Sequence, residues 1–382
     1  MQVTIHGETK AGFEDVKAVF TSLWEDIEIG ASVCVYHQGE KVVDLWAGYT
    51  DPAMTRPWQA DTLVNVYSAT KGIASLAFAI LVDEGKLSFD DRVIDYWPEF
   101  GAEGKQDVTI AQLLSHQAGL CGVDSKLEVE DLYDWEKMVN LLAAQKPMWP
   151  LGQGVGYHAV TWGYFPGELV KRITGKTLGQ YFNEKVRQPL GADFYLGLPE
   201  SEFARCATLS GPNRARKKPT VSAKNITMPA LYPVALLNPS ISPFKHACST
   251  PWRKAEIAAS NGHASARGMA TIYAAMAMQG TLNGKRIISQ QALEAALQIE
   301  VEDEIDLVLG QAIRRSRGFI LNTDNAYGPN QNSFGHAGAG GSLGFADQDA
   351  GIAFAYTMNQ MQADAAITPR SKQLTDAVYG CI

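Results

Sequence analysis

The sequence predicts an α+β fold in which one antiparallel sheet is built from both ends of the chain. β-like apolar runs occur near both termini, whereas the middle of the chain is mostly helical in pattern. The predicted sheet domain is therefore discontinuous, with residues 1–90 and 260–382 forming the sheet and its flanking helices. Residues 91–259 are predicted to form an inserted, mostly helical domain.

The N-terminal part predicts a helix, a hairpin and a second helix. Apolar positions recur at helical spacing over residues 12–27, and two β-like runs, 31–36 and 41–47, flank a short polar turn. Residues 72–84 are apolar on nearly all sides, as in a buried helix. Gly85 is the residue type that commonly follows the end of a helix, so this helix is expected to stop there.

The middle of the chain predicts short helices separated by loops. Two capping boxes, Thr109 with Gln112 and Thr177 with Gln180, mark helix starts. A loop rich in Pro and Gly precedes Tyr157. The helices predicted in this region cover residues 109–114, 130–145, 160–174 and 177–188.

The last part of the chain predicts further helices around a run of strands. Asn283 and Gly284 form a typical tight-turn pair, and Ser289 is a good helix N-cap. The predicted helices are 265–278, 289–297 and 368–379, and the predicted strands are 312–321, 332–338, 343–346 and 351–358.

Composition narrows the class of protein. The chain has 382 residues, of which 46% are hydrophobic and 19% charged, and its net charge is −8. No apolar run is long enough to cross a bilayer, the N-terminus has no apolar leader pattern, and the five cysteines are scattered. A cytoplasmic protein with reduced thiols and no membrane partner is therefore expected.

Neither nucleic acid nor metal is expected as a partner. The one basic run, 214–218, is short and has no aromatic residues interleaved, which favours a solvated loop over a nucleic-acid patch. The seven histidines show no metal-ligand spacing, so no metal is predicted.

Ser68 and Lys71 form the most informative pair of residues. They stand three residues apart at the start of the predicted buried helix, and this spacing places both side chains on one helix face. Burial disfavours a charged ammonium, so Lys71 could accept the proton of a nucleophilic Ser68. The competing interpretation makes Ser68 an N-cap and Lys71 a solvated residue of the first turn. A second Ser-x-x-Lys, Ser242 to Lys245, contains Pro and is followed by no apolar helix.

Ser342 is a rival nucleophile on motif grounds. Residues 340–344 match Gly-x-Ser-x-Gly, the nucleophile elbow of α/β-hydrolases. That motif requires a later histidine and a helix after the turn. No histidine follows His336, and Phe345 begins a β-like run, so a glycine-rich turn between strands is predicted instead.

Two further segments complete a candidate site. Tyr157 could relay a proton between the serine oxygen and a leaving group, although its spacing alone favours a buried tyrosine with a satisfied hydroxyl. The glycines after His336 would let the main chain approach a ligand closely. An N–H of this segment could form an oxyanion hole with the N–H of Ser68.

Together, four segments resemble the serine β-lactamase and penicillin-binding-protein superfamily, specifically its class C-like branch with the family VIII carboxylesterases. The order of the segments matches over nearly the whole chain. The four segments are 67–72 (Tyr-Ser-Ala-Thr-Lys-Gly), 113–120 (Leu-Leu-Ser-His-Gln-Ala-Gly-Leu), 156–159 (Gly-Tyr-His-Ala) and 336–338 (His-Ala-Gly). The resemblance implies a β-lactamase-like fold, no cofactor, a serine nucleophile at Ser68 with Lys71 as base, and Tyr157 in the proton relay.

The resemblance also implies an oxyanion hole formed by the N–H groups of Ser68 and Ala339, and a substrate-binding role for His158, His336 and Gly338. Two departures from the family pattern concern the substrate. Ala159 replaces an asparagine and His336 replaces a lysine, and a mostly neutral imidazole would not attract a carboxylate. Small neutral acyl esters are therefore the expected substrates of a carboxylesterase.

Three alternatives stay open at this stage. An acyltransferase would pass the acyl group to an alcohol or amine, and a β-lactamase or D-aminopeptidase-type hydrolase would prefer an anionic substrate. A catalytically silent binding protein of the same fold would not label with a fluorophosphonate.

Overall fold

The computed structural model describes residues 3–25, 28–211, 228–362 and 367–382, so the basic run 214–218 lies outside the described residues. Strands from both ends of the chain form its central sheet. In chain order the strands are β1 (Ile5–Thr9), β2 (Gly30–His37), β3 (Glu40–Gly48), β4 (Val64–Asn65), β5 (Phe194–Tyr195), β6 (His263–Ala264), β7 (Thr281–Leu282), β8 (Lys285–Arg286), β9 (Ile299–Val301), β10 (Arg315–Ser316), β11 (Ile320–Leu321), β12 (Phe334–Ala337), β13 (Leu343–Asp347) and β14 (Ile352–Met358).

Within the described residues, nine strands pair antiparallel in the order β1-β3-β2-β14-β13-β12-β11-β10-β9. The two halves of this sheet meet where β2 pairs with β14, with Ala31 opposite Met358 and His37 opposite Ile352. This arrangement confirms the predicted α+β class and the contribution of both termini. The strand β1 was not predicted, and the predicted strand 312–321 is instead a short hairpin of β10 and β11.

The helices agree closely with the predicted ones. In chain order they are α1 (Glu14–Ser22), α2 (Ala69–Asp83), α3 (Ile110–Leu114), α4 (Trp135–Ala144), α5 (Tyr164–Thr174), α6 (Leu178–Phe182), α7 (Gln188–Leu190), α8 (Tyr232–Leu236), α9 (Thr250–Lys254), α10 (Ala266–Ala277), α11 (Gln290–Leu297) and α12 (Pro369–Tyr379). Thr109 and Thr177 form the expected capping boxes, and the hydroxyl of Ser289 caps α11. Between α6 and α7, residues Asn183–Arg187 adopt a π-helical turn.

Helices cover both faces of the sheet. On β14, Phe354 and Tyr356 point into an apolar cluster that includes residues of α1 and α12. Ala353 and Ala355 point to the opposite face, where α10 packs. Side chains alternate between the two faces of a strand, so these two alanines share the face that points to α10. Because alanine is small, α10 can lie close to the strands.

Helix α2 lies between the sheet and the helical region. It contacts β12 and β13 on one side and α5 and α6 on the other. Residues Ala69 to Leu81 are buried, as the all-round apolar pattern predicted. One continuous apolar cluster therefore joins the two regions. The proposed division into a sheet domain (1–90 with 260–382) and a helical domain (91–259) stays a prediction.

Two global features bear on the expected surroundings of the protein. In the part of the chain that the structure describes, every helix is too short or too polar to cross a bilayer. All five cysteines carry free thiols.

Candidate active site

Ser68 lies at the N-terminal end of α2, at the mouth of the buried helix. The preceding residue, Tyr67, has a φ of 46°, a left-handed conformation that is costly for a non-glycine residue and is common at functional sites. The N–H of Val66 donates to Gly262 O at 2.9 Å, which ties this bend to the chain before β6. Ser68 is partly exposed, whereas the residues that follow it are buried. Its hydroxyl makes no helix-capping hydrogen bond, so capping of α2 does not explain why a serine stands at this position.

Lys71 is buried beside Ser68. Its side chain is 1% exposed, which excludes the interpretation of a solvated first-turn residue. Lys71 Nζ donates to Ala159 O at 2.8 Å and to Ala259 O at 2.9 Å, and it lies 3.3 Å from Ser68 Oγ. A neutral amine has two N–H donors and one lone pair. Because the two carbonyls occupy both donors, the lone pair of a neutral Lys71 faces the hydroxyl of Ser68.

Burial sets the charge state of Lys71. Desolvation is the largest effect and the positive charge of Arg315 is the second, and both hold the pKa of Lys71 well below its ordinary value. No carboxylate of the described residues pairs with Lys71. A lysine with a depressed pKa is the form that acts as a general base near neutral pH.

Tyr157 completes the contacts of the serine hydroxyl. Its phenolic O–H donates to Ser68 Oγ at 2.8 Å, and its ring lies 4.7 Å below Lys71 Nζ. Burial raises the pKa of Tyr157, so the phenol stays protonated and acts as a donor. The loop of Pro and Gly residues before it therefore places the hydroxyl of Tyr157 on Ser68.

His336 lies on β12 beside this cluster, with its ring 6.1 Å from that of Tyr157. Its Nδ1–H donates to Ala337 O at 2.7 Å, and Nε2 has no hydrogen-bond partner among the described residues. Burial and the nearby Lys71 lower the pKa of His336 to about 3, so the imidazole is neutral.

The turn after β12 packs against the chain that leads to Ser68. A Cβ on Gly338 would lie 2.0 Å from Val66 O, so only glycine fits there. Ser342 Oγ donates to the same carbonyl at 2.8 Å, and its side chain is buried. Within the described residues, the N–H groups of Ser68 and Ala339 donate to no other group of the protein. Both are therefore free to donate to a ligand.

Comparisons with known proteins identify the family of this chain. The Beta-lactamase family model matches residues 16–377. The esterase/beta-lactamase LipL of Mycobacterium tuberculosis (strain ATCC 25618 / H37Rv) is 30% identical over 384 residues, which cover 95% of this chain and 85% of that protein.

The chain belongs to the beta-lactamase family.

Two solved structures of this beta-lactamase fold are also similar over their full lengths. A family VIII carboxylesterase has a TM-score of 0.93 at 44% identity, with 99% of this chain and 100% of that chain covered. A penicillin-binding protein homologue from Caulobacter crescentus has a TM-score of 0.90 at 38% identity, with the same shares covered. The predicted family, fold and hydrolase class are therefore confirmed.

One predicted substrate contact of this beta-lactamase family member needs correction. His158 was expected to bind substrate, but it is fully buried and its ring faces the protein. Its Nε2 accepts the N–H of Leu120 at 3.0 Å and its Nδ1–H donates to Gly156 O at 2.6 Å. Burial lowers the pKa of His158 to about 3, so the ring stays neutral. Both ring nitrogens are occupied, and His158 supports the loop that carries Tyr157.

Three residues that contact the site, Ala259, Asp306 and Arg315, were not predicted from the beta-lactamase motifs. Ala259 O accepts a hydrogen bond from Lys71, and the ion pair of Asp306 with Arg315 lies next to Tyr157. A main-chain carbonyl can belong to any residue, so Ala259 has no signature in the sequence. Asp306 and Arg315 belong to none of the four segments that resemble the family.

The beta-lactamase fold gives the rival serine a structural role, which leads to a first prediction. Ser342→Ala removes a hydroxyl bonded to Val66 O, and we expect a loss of about 0.5–1.5 kcal/mol in the free energy of unfolding, because one hydrogen bond is lost while Val66 O keeps the N–H of Ala69 at 3.2 Å. Ester hydrolysis should stay within about tenfold of wild type, which corresponds to roughly 1.4 kcal/mol. Thermal unfolding and kcat/KM measure the two effects.

Ser75→Ala is the matched control for Ser342→Ala. Ser75 is a buried serine of α2 whose hydroxyl donates to Gly318 O at 2.6 Å. Both variants should therefore lose stability and keep most of their esterase activity. Complete loss of esterase activity in folded Ser342→Ala alone would contradict the structural role of Ser342.

Proposed function

We propose that this protein is a serine carboxylesterase that hydrolyses small neutral acyl esters through an acyl-enzyme on Ser68. One observation carries the proposal. Lys71 Nζ donates to the carbonyls of Ala159 and Ala259, so the lone pair of the neutral amine faces Ser68 Oγ. Tyr157 donates to the same oxygen. A serine with a neutral amine and a phenol on its hydroxyl is equipped for acyl transfer.

In the first half of the proposed reaction, Ser68 Oγ attacks the ester carbonyl and its proton passes to Lys71. The carbonyl oxygen becomes an oxyanion, which the free N–H groups of Ser68 and Ala339 stabilise. The bond to the alkoxide then breaks. Tyr157 donates its proton to the leaving oxygen and regains one from Lys71.

In the second half, water replaces the departed alcohol. The Lys71–Tyr157 pair takes one proton from the water as its oxygen attacks the acyl carbon. The oxyanion re-forms and collapses, Ser68 Oγ leaves with a proton from the pair, and the acid product departs. The same groups serve both halves, because deacylation reverses the proton transfers of acylation with water in place of the alcohol.

The charge and polarity around Ser68 support a neutral substrate. His336 is neutral where the family pattern has a lysine, and the side chain of Ala159 lies in an apolar cluster with Tyr157, Trp149 and Val308. Within the described part of the site, neither residue offers a cation or an amide to an anionic lactam. The five free thiols support a cytoplasmic location, which we propose with this activity.

The substrate proposal predicts the effect of charge at position 336. His336→Lys should raise kcat/KM for a carboxylate-bearing cephalosporin by about 1 kcal/mol, about fivefold, since one partly screened ion pair is gained. A neutral p-nitrophenyl ester should gain nothing. The measurement is kcat/KM for both substrates in wild type and variant, at low and high salt, because screening should weaken the gain.

His336→Gln is the matched control, because glutamine is polar and uncharged. It should leave the ratio of kcat/KM for cephalosporin over ester unchanged. A wild-type preference for the cephalosporin would contradict the neutral-ester assignment. An equal change for both substrates in His336→Lys would show that residue 336 shapes the pocket without reading charge.

A further inference from the structure

A buried ion pair lies next to Tyr157, outside all four of the motif segments. Asp306 follows β9 and Arg315 begins β10. Arg315 Nη2 donates to Asp306 Oδ2 at 2.6 Å, and each side chain is 1% exposed. Burying two charges costs several kcal/mol per ion before their attraction is counted, so such a pair is weak evidence for stability alone.

Asp306 fixes the main chain of Tyr157. Its other oxygen, Oδ1, accepts three N–H groups: that of Tyr157 at 3.1 Å, that of Val308 at 2.8 Å and that of Leu309 at 2.9 Å. The N–H of Leu307 donates to Val155 O at 2.8 Å. The bonds from Val308 and Leu309 shape the turn 306–309, and the other two hold that turn against the loop that carries Tyr157.

Arg315 places a positive charge next to the same tyrosine. Its guanidinium carbon lies 5.8 Å from the centre of the Tyr157 ring, and Lys71 Nζ lies 4.7 Å from that centre. Nε and Nη1 of Arg315 have no hydrogen-bond partner among the described residues. Arg315 and Lys71 thus lie against the same buried ring, so a positive charge on Arg315 disfavours a second one on Lys71.

Among the other ionisable groups described around the site, Asp306 opposes this effect and the rest are neutral. Burial keeps the pKa values of His116, His158 and His336 below the ordinary value of histidine, so the three rings are neutral, and it raises those of Tyr157 and Tyr327. Among the described residues, Asp306 is the carboxylate that faces this set. The charged and titratable groups are Lys71 on α2, His116 and Cys121 after α3, Tyr157 and His158 on the loop before α5, Asp306, Arg315 on β10, Tyr327 and His336 on β12, and burial raises the pKa of Cys121 so that its thiol is also neutral.

We propose that Asp306 and Arg315 are a positioning pair for the Ser68 site, in which Asp306 fixes the main chain of Tyr157 and Arg315 keeps Lys71 in its neutral, proton-accepting form. This inference rests on the proposed function, because it assigns the pair a role in the same reaction. Neither residue contacts the ester. Both act through Tyr157 and Lys71.

The test is the pH dependence of acylation, measured as the rate at which a neutral fluorophosphonate labels Ser68, together with kcat/KM for a neutral ester. Lys71 accepts a proton only when neutral, so activity falls as the pH drops through its pKa. Arg315→Gln removes a positive charge and should raise that pKa, moving the acid limb up by about one pH unit. Asp306→Asn removes a negative charge and should move the limb to lower pH. Arg315→Lys keeps the charge and should restore the wild-type limb.

Arg314→Gln is the matched control on the same segment of chain. Arg314 Nε donates to Glu302 Oε1 at 2.8 Å, and its side chain is partly exposed. This variant should leave the acid limb and the basal activity unchanged. It therefore separates the loss of an arginine from the loss of charge next to Tyr157.

The outcomes separate this inference from the proposed function. If folded Arg315→Gln loses thermal stability while its acid limb stays at the wild-type pH, the pair is structural and the inference is wrong. If Arg315→Gln does not fold, Asp306→Asn decides, and a limb that is unmoved or raised overturns the inference. Failure of wild type to label on Ser68 would instead remove the proposed function.

Discussion

Ser68→Ala should abolish the hydrolysis of neutral p-nitrophenyl esters. The loss in kcat should be roughly 10⁶-fold, the scale seen when another serine hydrolase loses its nucleophile. Ser68 Oγ is the hydroxyl that Tyr157 and Lys71 both face, at 2.8 Å and 3.3 Å. The measurement is the rate of p-nitrophenol release at saturating ester, with folding checked by circular dichroism.

The control for Ser68→Ala is again Ser75→Ala, seven residues along the same helix. It removes a serine hydroxyl from α2 without touching the site, because Ser75 donates to Gly318 O. Ser75→Ala should retain esterase activity. Activity in folded Ser68→Ala comparable to that of Ser75→Ala would rule out Ser68 as the nucleophile.

Lys71→Ala and Tyr157→Phe should each lower kcat by at least about 10²-fold, the usual scale for a general acid–base group. Lys71→Ala removes the base, and Tyr157→Phe removes the donor to the leaving alkoxide. In wild type, activity should rise with pH as Lys71 loses its proton. His336 and His158 contribute no limb near neutrality because the pKa of each is lowered to about 3.

The protein contains a matched control for each of these two variants. Lys105 is also buried and donates to two carbonyls, Ala102 O at 2.7 Å and Gln145 O at 2.6 Å, but among the described residues no serine hydroxyl bonds to it. Tyr164 is buried with its hydroxyl on Leu132 O at 2.6 Å. Lys105→Ala and Tyr164→Phe should lose stability and keep their kcat. A flat profile between about pH 5 and pH 9 with both site variants active would exclude Lys71 and Tyr157 from the reaction.

Much of the fold could be predicted because local patterns agree with it. The hairpin of β2 and β3, the all-round apolar α2 and the capped helices all carry signals within a few residues of one another. The strand β1 lacks such a signal. Ile5–Thr9 contains one large apolar residue, its three central residues are exposed, and it lies at the sheet edge where it pairs with β3 alone. Only the presence of a partner strand makes this segment a strand.

The site was predictable where its residues lie close in the sequence or in a recognisable motif. Ser68 and Lys71 share one helical turn, so their proximity follows from helix geometry. The carbonyls that hold Lys71 come from 88 and 188 residues away, and the carboxylate that holds Tyr157 from 149 residues away. Such contacts depend on how α2, the helical region and β10 pack together. The error at His158 has the same origin, since its neighbours Leu120 and Gly156 turn the ring away from Ser68.

Peptide-mapping mass spectrometry after reaction with a fluorophosphonate shows whether Ser68 becomes acylated. Two serines compete on motif grounds, and they differ in access, because Ser68 is partly exposed whereas Ser342 is buried with its hydroxyl on Val66 O. We expect a single adduct on the peptide that contains Ser68, formed faster as the pH rises, and no adduct in Ser68→Ala, as acylation of Ser68 requires. An adduct on Ser342, or labelling that persists in folded Ser68→Ala, would contradict it.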